Sequence, residues 1–435
     1  MGRFLLYIFT GLITSLFLFP FNLPITGIGI NTKMILAVIG AGFFVIDKIA
    51  GKESSVSRDF LLLSLLCTFI SIWSFWVTTW NHTSDFAFAK YLLSVWVWLG
   101  AAYAVIWFIR TVHQTVTVEL VGNYLIAVCT FQCVLAYAMS VWPSFGILID
   151  GLMGEGETFM GAVENRMHGL GAALDPAGLR FSAILLILAF FTTHTDFDVF
   201  PWKGLLYLTA FIIISVIGNM IARSTTIGMI CAITLFVLLK RPKKGKLSID
   251  RSWIIIGGGF LFVSVLSIWL YRKDPVFRSN LRFGFEGFFS LFERGRWEVR
   301  SNEILKGMIV WPETLKTWLI GDGFFDSPQD MPNSFGQVFG GFYKHTDIGY
   351  LRYVFYFGAI GLLGMITVFV KMTATCVRWL KGYKWMFLSL LLVNLIGWFK
   401  VSSDIIMVFA PFLILAYLQS ENPSLAIQEC KSSRL

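Results

Sequence analysis

Runs of mostly apolar residues recur along nearly the whole chain, separated by short polar or basic segments. A run of about 17–25 such residues can cross the hydrocarbon core of a bilayer as an α-helix, which satisfies its own backbone hydrogen bonds there. Twelve are legible, at 4–23, 33–49, 59–80, 90–109, 119–143, 178–194, 204–221, 224–240, 252–271, 348–370, 383–399 and 402–419. With 56% hydrophobic and 14% charged residues, composition points the same way. The expected fold class is an all-α polytopic integral membrane protein with about 12 transmembrane helices, residues 1–435 forming a single transmembrane domain. The weakest patterns are the second run, which ends in Asp47 and Lys48, and the closely spaced last pair.

The first run follows Arg3 like the hydrophobic part of a secretory leader. No small-x-small cleavage site follows Phe19-Pro20-Phe21, so it is read as a span. The opening Met1-Gly2-Arg3-Phe4-Leu5-Leu6 lacks the Ser or Thr of a myristoylation signal. Cys67, Cys129, Cys133, Cys231, Cys376 and Cys430 fall in spans or in segments assigned to the cytoplasm, and no disulfide framework is implied. Cys129 and Cys133, one helical turn apart, read as packing residues rather than metal ligands.

Orientation follows from the basic loops. Placing KRPKKGKLSIDR (240–251) in the cytoplasm also puts Lys48, Lys52, Arg58, Arg110, Lys371, Arg378, Lys381 and Lys384 there, with both termini. The opposite face receives 24–32, 81–89, 144–177, 222–223, 272–347 and 400–401. The long loop 272–347 carries basic and acidic residues in equal measure, and long loops translocate largely regardless of charge. The formal charge of +9 comes mainly from the cytoplasmic loops, and nucleic acid is not an expected partner. No inverted repeat of the kind common in transporters is visible.

A connection of this length is expected to fold over the membrane surface and to be partly helical. The pattern predicts a helix from about Glu293 to Val310, ended by Trp311-Pro312. On it Arg296 and Arg300, four residues apart, would share a face. There they either hold one multivalent anion or pair with Glu293, Glu298 and Glu303 on a solvated surface. Gly321 and Gly323 mark tight turns, near a ligand or near another segment. His345 and Asp347 precede the tenth run. A neutral imidazole there can take a proton from a hydroxyl while the carboxylate orients the ring or the substrate. Alternatively, His345 is an interfacial residue and Asp347 a helix N-cap.

Arg180 opens the sixth span, and Arg223 stands between the seventh and eighth with almost no room for a solvated turn. An arginine so placed must find carboxylate, carbonyl or an anionic ligand, or snorkel to the interface. Guanidinium forks suit phosphate oxygens. Arg180, Arg223, Arg296, Arg300 and His345 on one face thus suggest a site for a phosphorylated molecule anchored in the bilayer. Arg166, His168 and His82 fall on the same side. Glu155 and Glu157, considered as an acid and base for sugar hydrolysis, hold alternate positions in a Gly-rich loop that fix no separation, and Asn81-His82-Thr83 is read as an accidental sequon.

In this order, ARST (222–225), RGRWEVRSNEIL (294–305), Pro312, GDG (321–323) and HTDIGYLRYVFYFGAIGLL (345–363) resemble the O-antigen polymerase and O-antigen ligase superfamily of bacterial envelope glycan assembly. The likeness covers roughly 160–365, with 345–362 its most specific part. It implies inverting glycosyl transfer at the periplasmic face of the bacterial inner membrane. The donor would be an undecaprenyl-diphosphate-linked glycan, without nucleotide sugar or metal cofactor. Membrane lipid and a chain-length regulator would be the other partners. Carried over, His345 activates the acceptor hydroxyl and Arg223 and Arg300 hold the diphosphate. Arg180 and Arg296 are placed beside them, and Asp347 occupies a position often Asp or Asn. Ligases of the family often carry a second histidine near the first. Here Tyr343, Lys344 and Thr346 surround His345, which tilts the reading toward a polymerase, with a ligase as alternative. From another class, a lipid-linked oligosaccharide flippase would need charges through the bilayer depth, and a structural subunit would tolerate single arginine replacements.

Overall fold

The computed structural model describes residues 2–24, 30–50, 57–154, 161, 166–195, 199–240, 258, 264–327 and 341–421. The basic loop beyond Lys240, much of the ninth apolar run, Glu155, Glu157 and Cys430 lie outside the described residues. The named helices are α1 (Gly2–Leu18), α2 (Thr32–Ile49), α3 (Arg58–Trp80), α4 (Tyr91–His113), α5 (Val118–Val141), α6 (Pro143–Asp150), α7 (Leu174–His194), α8 (Pro201–Ile221), α9 (Thr225–Leu239), α10 (Pro275–Gly284), α11 (Glu286–Arg294), α12 (Arg300–Gly307), α13 (Leu315–Leu319), α14 (Gly349–Trp379), α15 (Lys384–Gly397) and α16 (Ile406–Glu421). Among the described residues there is no β-strand, only isolated bridges between Asn22 and Asn31 and between Asp326 and Phe342.

Among the described residues, six helices, α3, α4, α5, α7, α8 and α14, are long and apolar enough to cross a membrane. The runs at 4–23, 224–240, 383–399 and 402–419 form the shorter apolar helices α1, α9, α15 and α16. On α3, Leu61, Leu65, Phe69 and Ile72 are exposed while Phe60, Leu63, Cys67, Ile70 and Val77 are buried. A stripe of large apolar side chains left outside the fold belongs in lipid, not water. The chain is a helical membrane protein.

Contacts divide it into two units. The first comprises Met1–Ile35, Phe108–Glu298 and Leu388–Val393. Within it α7 packs against α8 and α9 and is buried along most of its length. The approach to α9 is close because Gly228 faces Ser182, where an added Cβ would lie 2.1 Å from the serine Cα. Ser182 Oγ donates to the Ser224 carbonyl (2.9 Å) and accepts from Gly228 N (3.1 Å), so the small residue and the hydroxyl together bind two apolar helices.

The second unit comprises Leu36–Trp107, Val299–Phe387 and Asn394–Leu435. Here α14 packs on α3, α13 and α16, and its helical path is interrupted at Phe357 and Gly358. The freed carbonyls are met from outside. Asp322 N donates to Phe355 O (2.6 Å), Gly323 N to Tyr356 O (3.0 Å) and Trp73 Nε1 to Phe357 O (2.8 Å). Broken backbone at membrane depth persists only when its polar groups are satisfied in this way. Gly358 takes φ 70°, ψ −177°, a region essentially reserved for glycine, and a Cβ there would sit 2.1 Å from Leu319 O.

Three local expectations are corrected. The helix expected from Glu293 to Val310 does not form. Gly295 at φ 69° ends α11 in a left-handed cap, its N–H donating to Leu291 O, and α12 starts anew at Arg300. Arg296 therefore lies in the connection, and the two arginines share no helix face. Arg180 does not open its span, because α7 begins at Leu174. Asp347 is not the N-cap of α14, a position held by Ile348 without a side-chain cap.

Candidate functional site

In the second unit, Tyr343–His345 forms a single 3-10 turn in which Lys344 and His345 adopt φ 53° and 56°. Two successive non-glycine residues in the left-handed region cost on the order of 1–3 kcal/mol each, so neighbouring contacts must impose the turn. His345 N donates to Phe342 O (2.9 Å) and Thr346 N to Tyr343 O (3.3 Å). Tyr343 packs against Phe324 and Phe355, and its hydroxyl reaches Asp322 Oδ2 (3.4 Å). Leu305, Met308 and Val310 join Tyr343 against Ile348, Leu351 and Phe355. The result is an exposed imidazole on a turn anchored at both ends. Burial and the Asp322 carboxylate hold the Tyr343 phenol above its ordinary range.

Asp347 faces Arg352 of α14, with Oδ1 3.8 Å from Nη1. Arg352 itself is only 6% exposed. Its Nη2 donates to Asp326 Oδ1 (2.6 Å) and to Phe325 O (3.1 Å), and its Nη1 to Ser402 Oγ (2.7 Å). The guanidinium lies over the Phe325 ring at 3.7 Å and the Phe342 ring at 4.5 Å.

The Gly321–Gly323 loop serves close approach to another segment. At Gly321 a Cβ would meet Tyr356 O at 2.6 Å, and both glycines have positive φ. Asp322 Oδ1 accepts from Thr317 Oγ1 (2.8 Å) and Lys316 Nζ (3.2 Å). Residues of the sequon serve the same loop: Asn81 Nδ2 donates to Val77 O (2.9 Å) and Gly321 O (3.3 Å), and Thr83 Oγ1 to Gly323 O (2.8 Å). His82, at φ 53°, is the exposed residue that turns the chain out of α3.

In the first unit, Arg223 is half-buried on the turn between α8 and α9. It meets Glu286 Oε2 through Nη1 (2.7 Å), donates to Phe283 O through Nε (3.0 Å) and lies 4.2 Å over the Phe283 ring. The turn is fixed by Thr226 Oγ1 to Asn219 Oδ1 (2.6 Å) and Thr225 Oγ1 to Gly218 O (3.0 Å). Arg166 approaches the same Phe283 ring at 5.9 Å. His168 Nε2 stands 3.0 Å from Asp150 Oδ1, and its Nδ1 3.0 Å from Arg166 O. Arg180 lies 5.6 Å over the Phe19 ring. The helix that carries it presses Gly178 against Ser224 and Ala222 of the Arg223 turn. Arg296 and, in the second unit, Arg300 at the head of α12 are exposed. Among the described residues, no group of three or more His, Cys, Asp or Glu side chains is placed to hold a metal ion.

Two local groups thus emerge, Arg223 with Glu286 and Phe283 in the first unit and the His345 turn with Asp347 and Arg352 in the second, while Arg180 lies over Phe19 and Arg296 and Arg300 are exposed. Sequence reasoning missed Arg352, Asp326 and Asp322. Arg352 carried a signal, since a charge inside an apolar run demands a partner. No family model, curated protein or solved structure matches the chain.

Proposed function

We propose that the protein is a membrane glycosyltransferase that polymerises undecaprenyl-diphosphate-linked oligosaccharide repeat units at the periplasmic face of a bacterial inner membrane, with both termini in the cytoplasm. The observation that carries this reading is His345, an exposed imidazole on a strained turn at the foot of an apolar helix. The resemblance over 345–362 supports it. In the reaction, the acceptor hydroxyl oxygen bonds to the anomeric carbon of the donor and its proton passes to the His345 imidazole. The bond from that carbon to the diphosphate breaks with inversion, and undecaprenyl diphosphate departs. The resemblance implies that arginines take up its developing charge without a metal, Arg223 and Arg300 foremost, with Arg180 and Arg296 supporting. Arg223 enters oriented by Glu286, which a diphosphate must displace or share.

The test is a deletion strain complemented with wild type or His345→Ala at equal membrane abundance, with surface glycan resolved by gel. The proposal expects single-repeat glycan to persist while the ladder of longer chains vanishes. Loss of all attached glycan with accumulation of lipid-linked polymer would make the protein a ligase, and an unchanged ladder would refute the role of His345.

A further inference from the structure

Arg352 is costly to bury, and a lysine at its position would supply the same charge. What a lysine lacks is the planar fork that here reaches Asp326, Phe325 O and Ser402 in three directions while its faces meet two phenylalanine rings. Two of these contacts lead to the strained turn. Phe342, under the guanidinium, provides the carbonyl that accepts the His345 N–H, and the Ser327 hydroxyl donates to that carbonyl at 3.1 Å. Asp326, the closest carboxylate partner, forms the isolated bridge with Phe342. On the far side of the turn Arg352 faces Asp347. The same side chain therefore grips the chain before and after Lys344 and His345, which themselves contribute no side chain to the clamp.

We infer that Arg352 is a positioning residue: by holding Phe342, Asp326 and Asp347 it maintains the left-handed conformation of Lys344 and His345 and so fixes the direction of the imidazole. Its functional consequence rests on the reading of His345 as the proton acceptor; its structural consequence does not. Released from the clamp, the turn relaxes to ordinary backbone angles and the imidazole swings away from one fixed direction. Misplacement of a reacting group on the order of 1 Å costs about 100-fold in rate.

The experiment uses the full-length protein in lipid nanodiscs, as wild type, Arg352→Lys and Asp326→Asn. Asp326→Asn guards against a folding failure of the first variant, because the Asp326 side chain is 46% exposed. Hydrogen exchange is followed at the His345 and Thr346 amides and along α14, beside polymerising activity resolved into kcat and KM. The expected result is exchange at the two turn amides faster by about tenfold, unchanged exchange in α14, and kcat reduced about 10- to 100-fold at similar KM. Unchanged turn exchange in a folded variant would overturn the inference, as would faster exchange spread evenly over α14, the mark of a general packing role. If His345→Ala proves fully active, the functional reading fails, and the exchange data still decide whether Arg352 holds the turn.

Discussion

Arg223 and His345 each stand on a tight turn that leads into an apolar helix, and the protein prepares them in opposite ways. Arg223 is paired with Glu286 and donates to the Phe283 carbonyl, on a turn without positive φ. His345 is exposed on backbone held at positive φ. The difference follows from charge. A guanidinium among apolar helices must be paired, so its environment is set by electrostatics, and any anion it binds has to compete with a resident carboxylate. A neutral imidazole needs no partner, so the protein can leave it open and aim it through the backbone instead.

The largest effect is expected from His345→Gly. On the proposed function it lowers polymerising activity about 100- to 10,000-fold, read as loss of the glycan ladder. Removing the left-handed strain at the same time should raise stability by about 1 kcal/mol, read as a higher Tm. A gain in stability with loss of function marks strain held for a purpose. Next in size is Gly358→Ala, which forces a Cβ against Leu319 O in a glycine-only conformation and should cost about 2–5 kcal/mol, measured by thermal unfolding in detergent.

On the other side of the comparison, Arg223→Ala leaves Glu286 without its nearest cation and should cost about 1–3 kcal/mol of stability, together with reduced activity. Glu286→Gln separates the two roles. It removes the competitor for the guanidinium, so the KM for the lipid diphosphate donor should fall several-fold if Arg223 binds it, whereas a purely structural pair predicts no change. The smallest effect concerns Tyr343. Its phenol holds its proton above the ordinary tyrosine value of about 10, so above that pH the unfolded chain deprotonates first. Stability contributed by Tyr343 is complete below about pH 10 and is lost as pH climbs toward the folded value. Tyr343→Phe should flatten the alkaline decline of Tm relative to wild type.

Hydropathy made the helices legible because lipid-facing and core-facing residues are both apolar, and the same uniformity hid the break in α14. Within FYFGAIGLLG nothing local distinguishes Gly358 from Gly361 or Gly364. The distinction comes from the Gly321–Gly323 loop and Trp73, far away in the chain. Gly295 was legible in principle, as a glycine placed to end α11 before Arg296. Arg352 showed itself as a charge in an apolar run, but Asp326 lies across a long loop and no periodicity links the two. For Arg223 the need for a partner could be argued from its surroundings. That the partner is Glu286 could not, since several acidic residues of the same loop satisfied the argument equally.

Glycosyl transfer from a lipid diphosphate can be followed with purified protein in sealed vesicles containing an undecaprenyl-diphosphate-linked repeat unit. Released undecaprenyl diphosphate and glycan chain length are quantified together. A polymerase releases one lipid diphosphate for each new linkage, and neither product is expected with His345→Ala. Intact donor moved across the vesicle bilayer without release, or no turnover by an intact protein given a verified cognate repeat unit, would contradict it.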